Sequence, residues 1–474
     1  MRHTKLALAA MTLAVLAGCG GTSPEAGNQT LRTKFSAQVS FGDSLSDVGT
    51  YAVGTVLALK GGKWNINGDN TAINPALTGK NWTELMAAQL GLPAPCAAQT
   101  GLTGDATQGF SVPVVNHSGC YGYAQGGSRV TNPVGPGNKL TGSALGALTV
   151  PVATQIANHL AASGGKFKGD EIVFVMAGAN DAFIQLATLS ANATAAGTAA
   201  GTAAGAAAGA TAYGQSLVGQ LAAKATNPAT AAQAIGAAMA TESARAGSTQ
   251  TTVTQAAIGA AAVQPGASSV ADPAVYGPIV AKATADATAA GNAAGAAAGA
   301  KAGADYAAAH GPELVTAMAQ AGTELANLVK TQVIAKGANF VTVNNLPDMS
   351  ITPSALAQDA STRALISAMT SAFNSALATG LGTDDKILLV DVFTVSHDQT
   401  VNPAPYGLTN VTDTACDLSP AKNPLSQSLT CNAGNLKSGD VSHYMFADTV
   451  HPTPFSYLLL ARYVAEKMVI KGWL

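Results

Sequence analysis

Two short segments far apart in the chain hold side chains that could work as one nucleophilic relay. The first is Phe41-Gly42-Asp43-Ser44-Leu45-Ser46-Asp47-Val48-Gly49, and the second is Asp448-Thr449-Val450-His451-Pro452. A serine hydroxyl attacks poorly unless a base takes its proton during bond formation. An Asp three residues before a His can bond Nδ1 within one turn, which fixes the tautomer whose Nε2 accepts a hydroxyl proton. The chemistry open to such a set is acyl transfer through Ser44, with His451 as base and Asp448 orienting it. Of the seven His, His117, His159, His310 and His397 have no acidic residue three positions upstream, and His3 lies in the apolar leader. His443 has Asp440 at that spacing but lacks a following Pro, and Asp391 is the reserve acid. The Gly-x-Ser-x-Gly elbow of ordinary α/β-hydrolases is absent around Ser44.

The elements that must position these residues are legible around them. Ala37 through Phe41 alternates before the Gly-Asp-Ser turn, and Ile172-Val173-Phe174-Val175-Met176 is a continuous apolar run ending in Ala-Gly-Ala-Asn. Both read as strands whose C-terminal ends deliver polar residues. Two more strands are expected at Phe340 to Val343 and Ile387 to Val395. A helix follows Gly311-Pro312, with Leu314, Met318, Ala321, Leu325 and Leu328 at spacings of four and three and Gly337 as its stop. Strands alternating with helices predict an α/β fold with a parallel sheet covered on both faces. Open sheets of this kind bind ligands outside the carboxyl ends of their strands.

Further blocks carry a resemblance. Gly126-Gly127-Ser128 and Gly178-Ala179-Asn180-Asp181 lie between the two segments above. Gly79-Lys80-Asn81-Trp82-Thr83-Glu84-Leu85 and Asn344-Asn345-Leu346-Pro347-Asp348 flank them in order. With these blocks the chain resembles the GDSL esterases and lipases, the SGNH hydrolases, over residues of roughly 36 to 186 and 312 to 474. The resemblance implies a three-layer α/β/α, flavodoxin-like catalytic domain and no cofactor or metal. It implies Ser44, Asp448 and His451 as catalytic residues. The oxyanion hole would be the backbone amides of Ser44 and Gly127 and the side-chain amide of Asn180, with Gly126 as the fallback donor. Where that family commonly has Asn-Tyr-Ala, this chain has Gly122-Tyr123-Ala124. Carboxylic esters, lipid or phospholipid esters foremost, are the implied substrates. Acetylated polysaccharide is the alternative, and a non-catalytic surface-binding lipoprotein is the reading of another class.

Composition narrows the setting. Lys+Arg 24 against Asp+Glu 26 gives a net charge of -2 with no run of either sign, which excludes tracking of a nucleic-acid backbone. Arg2 and Lys5, an apolar run from Leu6 to Leu16, and Leu16-Ala17-Gly18-Cys19 read as a signal peptide over 1–18. Its ending resembles the bacterial lipobox, which implies a lipid anchor on Cys19, a tether over 19–34 and attachment to a membrane surface. Gly20 after the Cys points to the outer membrane by resemblance to enteric sorting. The stop at Leu474 leaves no length for a β-barrel exporter. The remaining four Cys suit an oxidising compartment. Cys96 with Cys120 and Cys416 with Cys431 are the expected disulfides because each closes a short loop; one near fifteen residues contributes ~3 kcal/mol. The sequence does not fix the oligomeric state.

Between residues 187 and 311 the composition changes. Residues 191–210 comprise twelve Ala, four Gly, three Thr and one Asn. Gly197, Gly201, Gly205 and Gly209 recur every four residues, as do Gly291, Gly295, Gly299 and Gly303. That period puts a groove along one helix face through which two helices could approach closely. The expectation is an antiparallel pair of long helices, joined by the segment from Asn227 to Pro278 and inserted between catalytic segments 35–186 and 312–474.

Overall fold

The computed structural model of the protein describes residues 33–68, 77 and 79–474. The leader, Cys19 and the expected tether up to residue 32 lie outside the described residues. The strands are β1 (Gln38–Gly42), β2 (Gln99–Thr103), β3 (Ser111–Asn116), β4 (Ile172–Met176), β5 (Phe340–Asn344), β6 (Ile387–Val390), β7 (Asn410–Thr414) and β8 (Tyr444–Phe446). The principal helices are α1 (Trp82–Gln89), α2 (Val152–Ala162), α3 (Ala179–Ala222), α4 (Pro228–Ser243), α5 (Gln250–Ala262), α6 (Pro273–Leu328), α7 (Ala360–Leu381), α8 (Val392–Val401) and α9 (Pro454–Lys471). The described residues divide into two compact units: those up to Ala177 with Leu325–Ala357 and Ala378–Leu474, and Gly178–Glu324 with Gln358–Leu377. The second takes in Gly178 to Leu186, Pro312 to Glu324 and Gln358 to Leu377, stretches that the sequence reading grouped with the catalytic domain.

The first unit is built on a parallel sheet in the order β1-β4-β5-β6. The run at 172–176 becomes its buried inner strand, as an apolar run without alternation should. Ile172, Phe174 and Met176 pack on one face with Trp82 and Met86 of α1 and with Tyr457, Ala461, Val464 and Met468 of α9. Phe41 of β1 pairs in register with Val175, so its side chain takes the opposite face, where it meets His159 of α2. The outer edge of β1 is covered by the extended segment before Gly126-Gly127. Ser40 N donates to Tyr121 O at 3.0 Å, Tyr123 N to Ser40 O at 2.8 Å, and Gln125 N to Gly42 O at 3.2 Å.

One expected strand is shorter than its apolar pattern. β6 ends at Val390, and Val392 to Val395 begin α8 instead. Asp391 decides this: its side chain accepts from Thr394 N and Oγ1, an N-cap that turns the chain into a helix.

The second unit contains the antiparallel pair. A Cβ built on Gly197 would lie 2.7 Å from Gly299 O, one on Gly201 2.8 Å from Gly295 O, and one on Gly205 2.9 Å from Gly291 O. The residue numbers rise on α3 as they fall on α6, and the two backbones touch where the glycines recur. The segment from Asn227 to Pro278 is itself helical. Asn227 caps α4 ahead of Pro228, and Thr249 with Thr252 forms a reciprocal cap on α5. These helices share a core of Tyr213, Leu217, Leu221, Ile235, Val270 and Ile279. The second long helix also runs further than expected, passing through Pro312 to Leu328, and Gly337, at φ 107, stops the short turns that follow it.

Two outcomes follow from this packing. Gly201→Ala should lower the unfolding midpoint, by about 1–3 kcal/mol of overpacking, whereas Gly219→Ala on the same helix, with nothing within 4 Å of its new methyl, should raise it by about 1 kcal/mol. Chemical denaturation followed by circular dichroism separates the two. His159 gives the second. Its ring is surrounded by Phe167 at 4.6 Å, Tyr123 at 5.4 Å, Phe41 at 5.8 Å and Tyr121 at 5.9 Å, and neither nitrogen has a hydrogen-bond partner among the described residues. Burial, with the Lys168 charge adding to it, pushes its pKa down to about 4. The unfolded chain therefore binds a proton near pH 6.5 that the folded chain refuses until about 4. Stability should fall over that window by roughly 2 kcal/mol after solvent screening, and His159→Phe should flatten the loss.

Candidate active site

The Ser44 turn leaves β1 after Gly42 and is pinned by its own acidic residues. Leu45 N donates to Asp43 Oδ1 at 3.1 Å, while Gly49 N and Thr50 N donate to Asp47 Oδ1 at 2.9 and 2.8 Å. Asn81, the N-cap of α1, donates from Nδ2 to Asp47 O, and Trp82 Nε1 donates to Ser46 Oγ. The block at 79–85 thus fixes the turn from outside it.

The other half of the site comes from a tight reversal after β8. Ala447 N donates to His451 O at 2.8 Å and Thr453 N to Met445 O at 3.0 Å, so residues 448–451 form its tip. Thr453 caps α9 and Pro454 occupies its first turn, which fixes where the reversal ends. At the tip, His451 Nδ1 lies 2.8 Å from Asp448 Oδ2 and 3.0 Å from Oδ1. Its Nε2 lies 2.9 Å from Ser44 Oγ. The structure therefore brings Ser44, His451 and Asp448 into one hydrogen-bonded chain, and all three are buried. Asp440 instead accepts from Ser442 N, and the His443 ring lies 4.2 Å from that of Phe455.

Two buried aspartates in this site differ in charge behaviour. Burial drives the carboxyl of Asp448 upward, but the His451 charge and hydrogen bond, with donors from Ser428 and the His451 backbone, outweigh it and hold the group well below the usual carboxylate range. At Asp47 burial wins over the N–H donors of Thr50, Gly49 and Gly126, and the carboxyl is pushed up. Asp448 stays ionised beside the imidazole, as a residue that orients it should.

The Gly-Gly loop separates the two candidate donors. Gly126 N donates to Asp47 Oδ2 at 2.9 Å and Gly126 O accepts from Tyr51 OH at 2.7 Å, so both its peptide groups are committed. Among the described residues, the N–H groups of Ser44 and Gly127 meet no protein acceptor. Gly127 sits at φ 82, a conformation glycine adopts without strain. Asn180 belongs to the second unit, where it is buried at the second position of α3.

Several residues that sequence reasoning passed over build this frame. Gln155 of α2 accepts from Gly42 N and donates to Gly42 O, both at 2.8 Å, and reaches Ser128 Oγ at 3.2 Å. Ser428 N donates to Asp448 Oδ2 at 2.7 Å. Trp64 stacks on His451 with ring centroids 4.8 Å apart. The helical spacing of α2 marks Gln155 as a polar residue on an otherwise apolar inner face; nothing in the sequence marks the other two. Both expected disulfides are formed, Cys96–Cys120 and Cys416–Cys431. The second holds the segment that supplies Ser428. Among the described residues no group of His, Cys, Asp and Glu could hold a metal ion.

No protein-family model matches the chain, and no curated protein matches it.

The backbone of Gly126 is open to any residue, but a Cβ there would lie 2.2 Å from Trp64 Nε1 and 2.5 Å from Cε2. Gly126→Ala should therefore destabilise the protein by about 1–3 kcal/mol. Trp64→Phe removes the clashing atoms, so the alanine should cost far less in that background. A double-mutant cycle of unfolding free energies checks this; equal costs in both backgrounds would contradict it.

Proposed function

We propose that the chain is a serine ester hydrolase of the SGNH type, with a three-layer α/β/α catalytic domain, cleaving carboxylic esters through an acyl-serine intermediate. The observation that carries this reading is the relay Ser44 Oγ, His451 Nε2 at 2.9 Å, and Asp448 on His451 Nδ1. As Oγ bonds to the ester carbonyl carbon, its proton passes to Nε2, and the carbonyl π electrons move onto oxygen. The tetrahedral intermediate collapses, the imidazolium returns the proton to the leaving alcohol, and an acyl-serine remains. Water repeats the sequence: His451 takes its proton, the carboxylic acid departs and Ser44 regains its hydrogen. The uncommitted N–H groups of Ser44 and Gly127 are the proposed oxyanion donors. The carboxamide of Asn180, four residues beyond the end of β4 in sequence, is the third donor that the family resemblance implies. Lipid or phospholipid esters are the proposed substrates, supported by the lipobox-like Leu16-Ala17-Gly18-Cys19, which would hold the enzyme at a membrane surface of an exported lipoprotein.

A fluorophosphonate probe should label wild-type protein on Ser44, and the label should vanish in Ser44→Ala and His451→Ala. Hydrolysis of p-nitrophenyl esters should fall by roughly 10⁶-fold in kcat for either variant, by about 10⁴-fold for Asp448→Asn and by about 10²–10³-fold for Asn180→Ala. Folded wild-type protein that resists the probe and leaves these esters, phospholipids and sugar acetates intact would sink the reading and favour a binding role.

A further inference from the structure

We propose that Trp64 is a positioning residue for the base, its indole face holding the His451 imidazole in the plane that aims Nε2 at Ser44 and stabilising the imidazolium formed as Ser44 gives up its proton. The inference rests on the hydrolase reading.

The geometry is direct. The two rings are 4.8 Å apart between centroids at an interplanar angle of 33°. Asp448 holds the imidazole at Nδ1 and Ser44 meets it at Nε2, and bonds at the two nitrogens leave the ring free to roll about the line that joins them. A flat wall against its face removes the roll.

Trp64 is in turn held by the frame that holds Asp448. Tyr457 OH donates to Trp64 O at 3.1 Å. Asn67 brackets the residue before Trp64, accepting from Lys63 N and donating to Lys63 O, and the same Nδ2 reaches Ser428 O and Cys431 O at 3.1 Å. Ser428 is the residue whose N–H binds Asp448. Indole and carboxylate are therefore referenced to one rigid segment, and the imidazole sits between them.

The charge argument points the same way. A cation within about 6 Å of an aromatic centroid is drawn to the ring face, most strongly for Trp. The imidazole gains a proton as Ser44 loses one, so in the proposed reaction the attraction is stronger at the transition state than before it, which is the condition for lowering the barrier.

A packing role alone would favour another residue. Trp64 is buried and its Nε1–H has no hydrogen-bond partner among the described residues. An unpaired buried donor destabilises the fold, and Phe fills most of the same space without one. If Trp64 served packing only, any loss of kcat in Trp64→Phe or Trp64→Leu would follow the loss of stability.

The test is steady-state hydrolysis of p-nitrophenyl butyrate by Trp64→Phe and Trp64→Leu, with unfolding midpoints measured on the same samples. The expected order in kcat is Trp, then Phe within about threefold, then Leu down about tenfold, with KM unchanged within about twofold. Midpoints should not follow that order. Trp64→Leu with wild-type kcat, a loss confined to KM, or kcat tracking the midpoint would each overturn the proposal while leaving Ser44 labelling and the hydrolase reading intact. Failure of the fluorophosphonate probe to label wild-type Ser44 would remove both.

Discussion

A hydrogen bond of 2.9 Å between Ser44 and His451 joins residues 407 positions apart, and the first unit is organised around keeping its two ends still. Each end is a short irregular segment anchored to a regular one. The serine turn hangs from β1, whose last residue is gripped on both its N–H and its C=O by Gln155. The histidine turn is closed by backbone bonds of its own and by the cap of α9. Beyond the bonds of its own Asp43 and Asp47, the serine turn takes Asn81, Trp82 and Gln155 as struts from the start of α1 and from α2. A site accurate to a fraction of an ångström needs such outside support, because the loops that carry reactive groups are otherwise the least rigid parts of a fold.

Asp47 shows how tightly the pieces interlock. One carboxylate holds two N–H groups of its own turn and reaches across to Gly126, joining the nucleophile turn to the loop that follows the covering segment of β1. That third bond commits the N–H of Gly126, whereas the N–H of Gly127 meets no protein acceptor among the described residues. The family resemblance named Gly127 with Gly126 as the fallback, since a Gly-Gly pair by itself looks the same whichever amide is spent. The carboxylate that decides it lies 79 positions away.

Much of the frame was readable because it depends on local rules. The strands at 38–42 and 172–176, the glycine period at 197–209 and 291–303, the Asp-x-x-His spacing and both disulfides each follow from residue type and short-range spacing. The end of β6 was misread because Val392 to Val395 suit a strand by composition, and only the cap formed by Asp391 overrules them. The helices between Asn227 and Pro278 had their signals in Asn227-Pro228 and Thr249-x-x-Thr252, hidden by low-complexity surroundings. Trp64 and Ser428 left no trace because their roles exist only after distant segments meet. Stacking on an imidazole has no period, and a backbone N–H has no residue type.

The contrast between Asp47 and Asp448 explains why the two buried carboxylates take different work. Each accepts three or more hydrogen bonds, so donor number does not distinguish them. What differs is the kind of partner. Asp47 meets neutral N–H and O–H groups, whose dipoles do not repay the loss of water, and burial wins. Asp448 faces a ring that can carry a full charge, and the attraction across 2.8 Å between two buried groups exceeds the cost of burial. A carboxylate of the first kind is suited to holding backbone N–H groups in place. One of the second kind keeps its charge for the moment a proton reaches the imidazole. The same residue type therefore serves as a clamp in one place and an electrostatic partner 401 positions later, and the neighbouring group alone decides which.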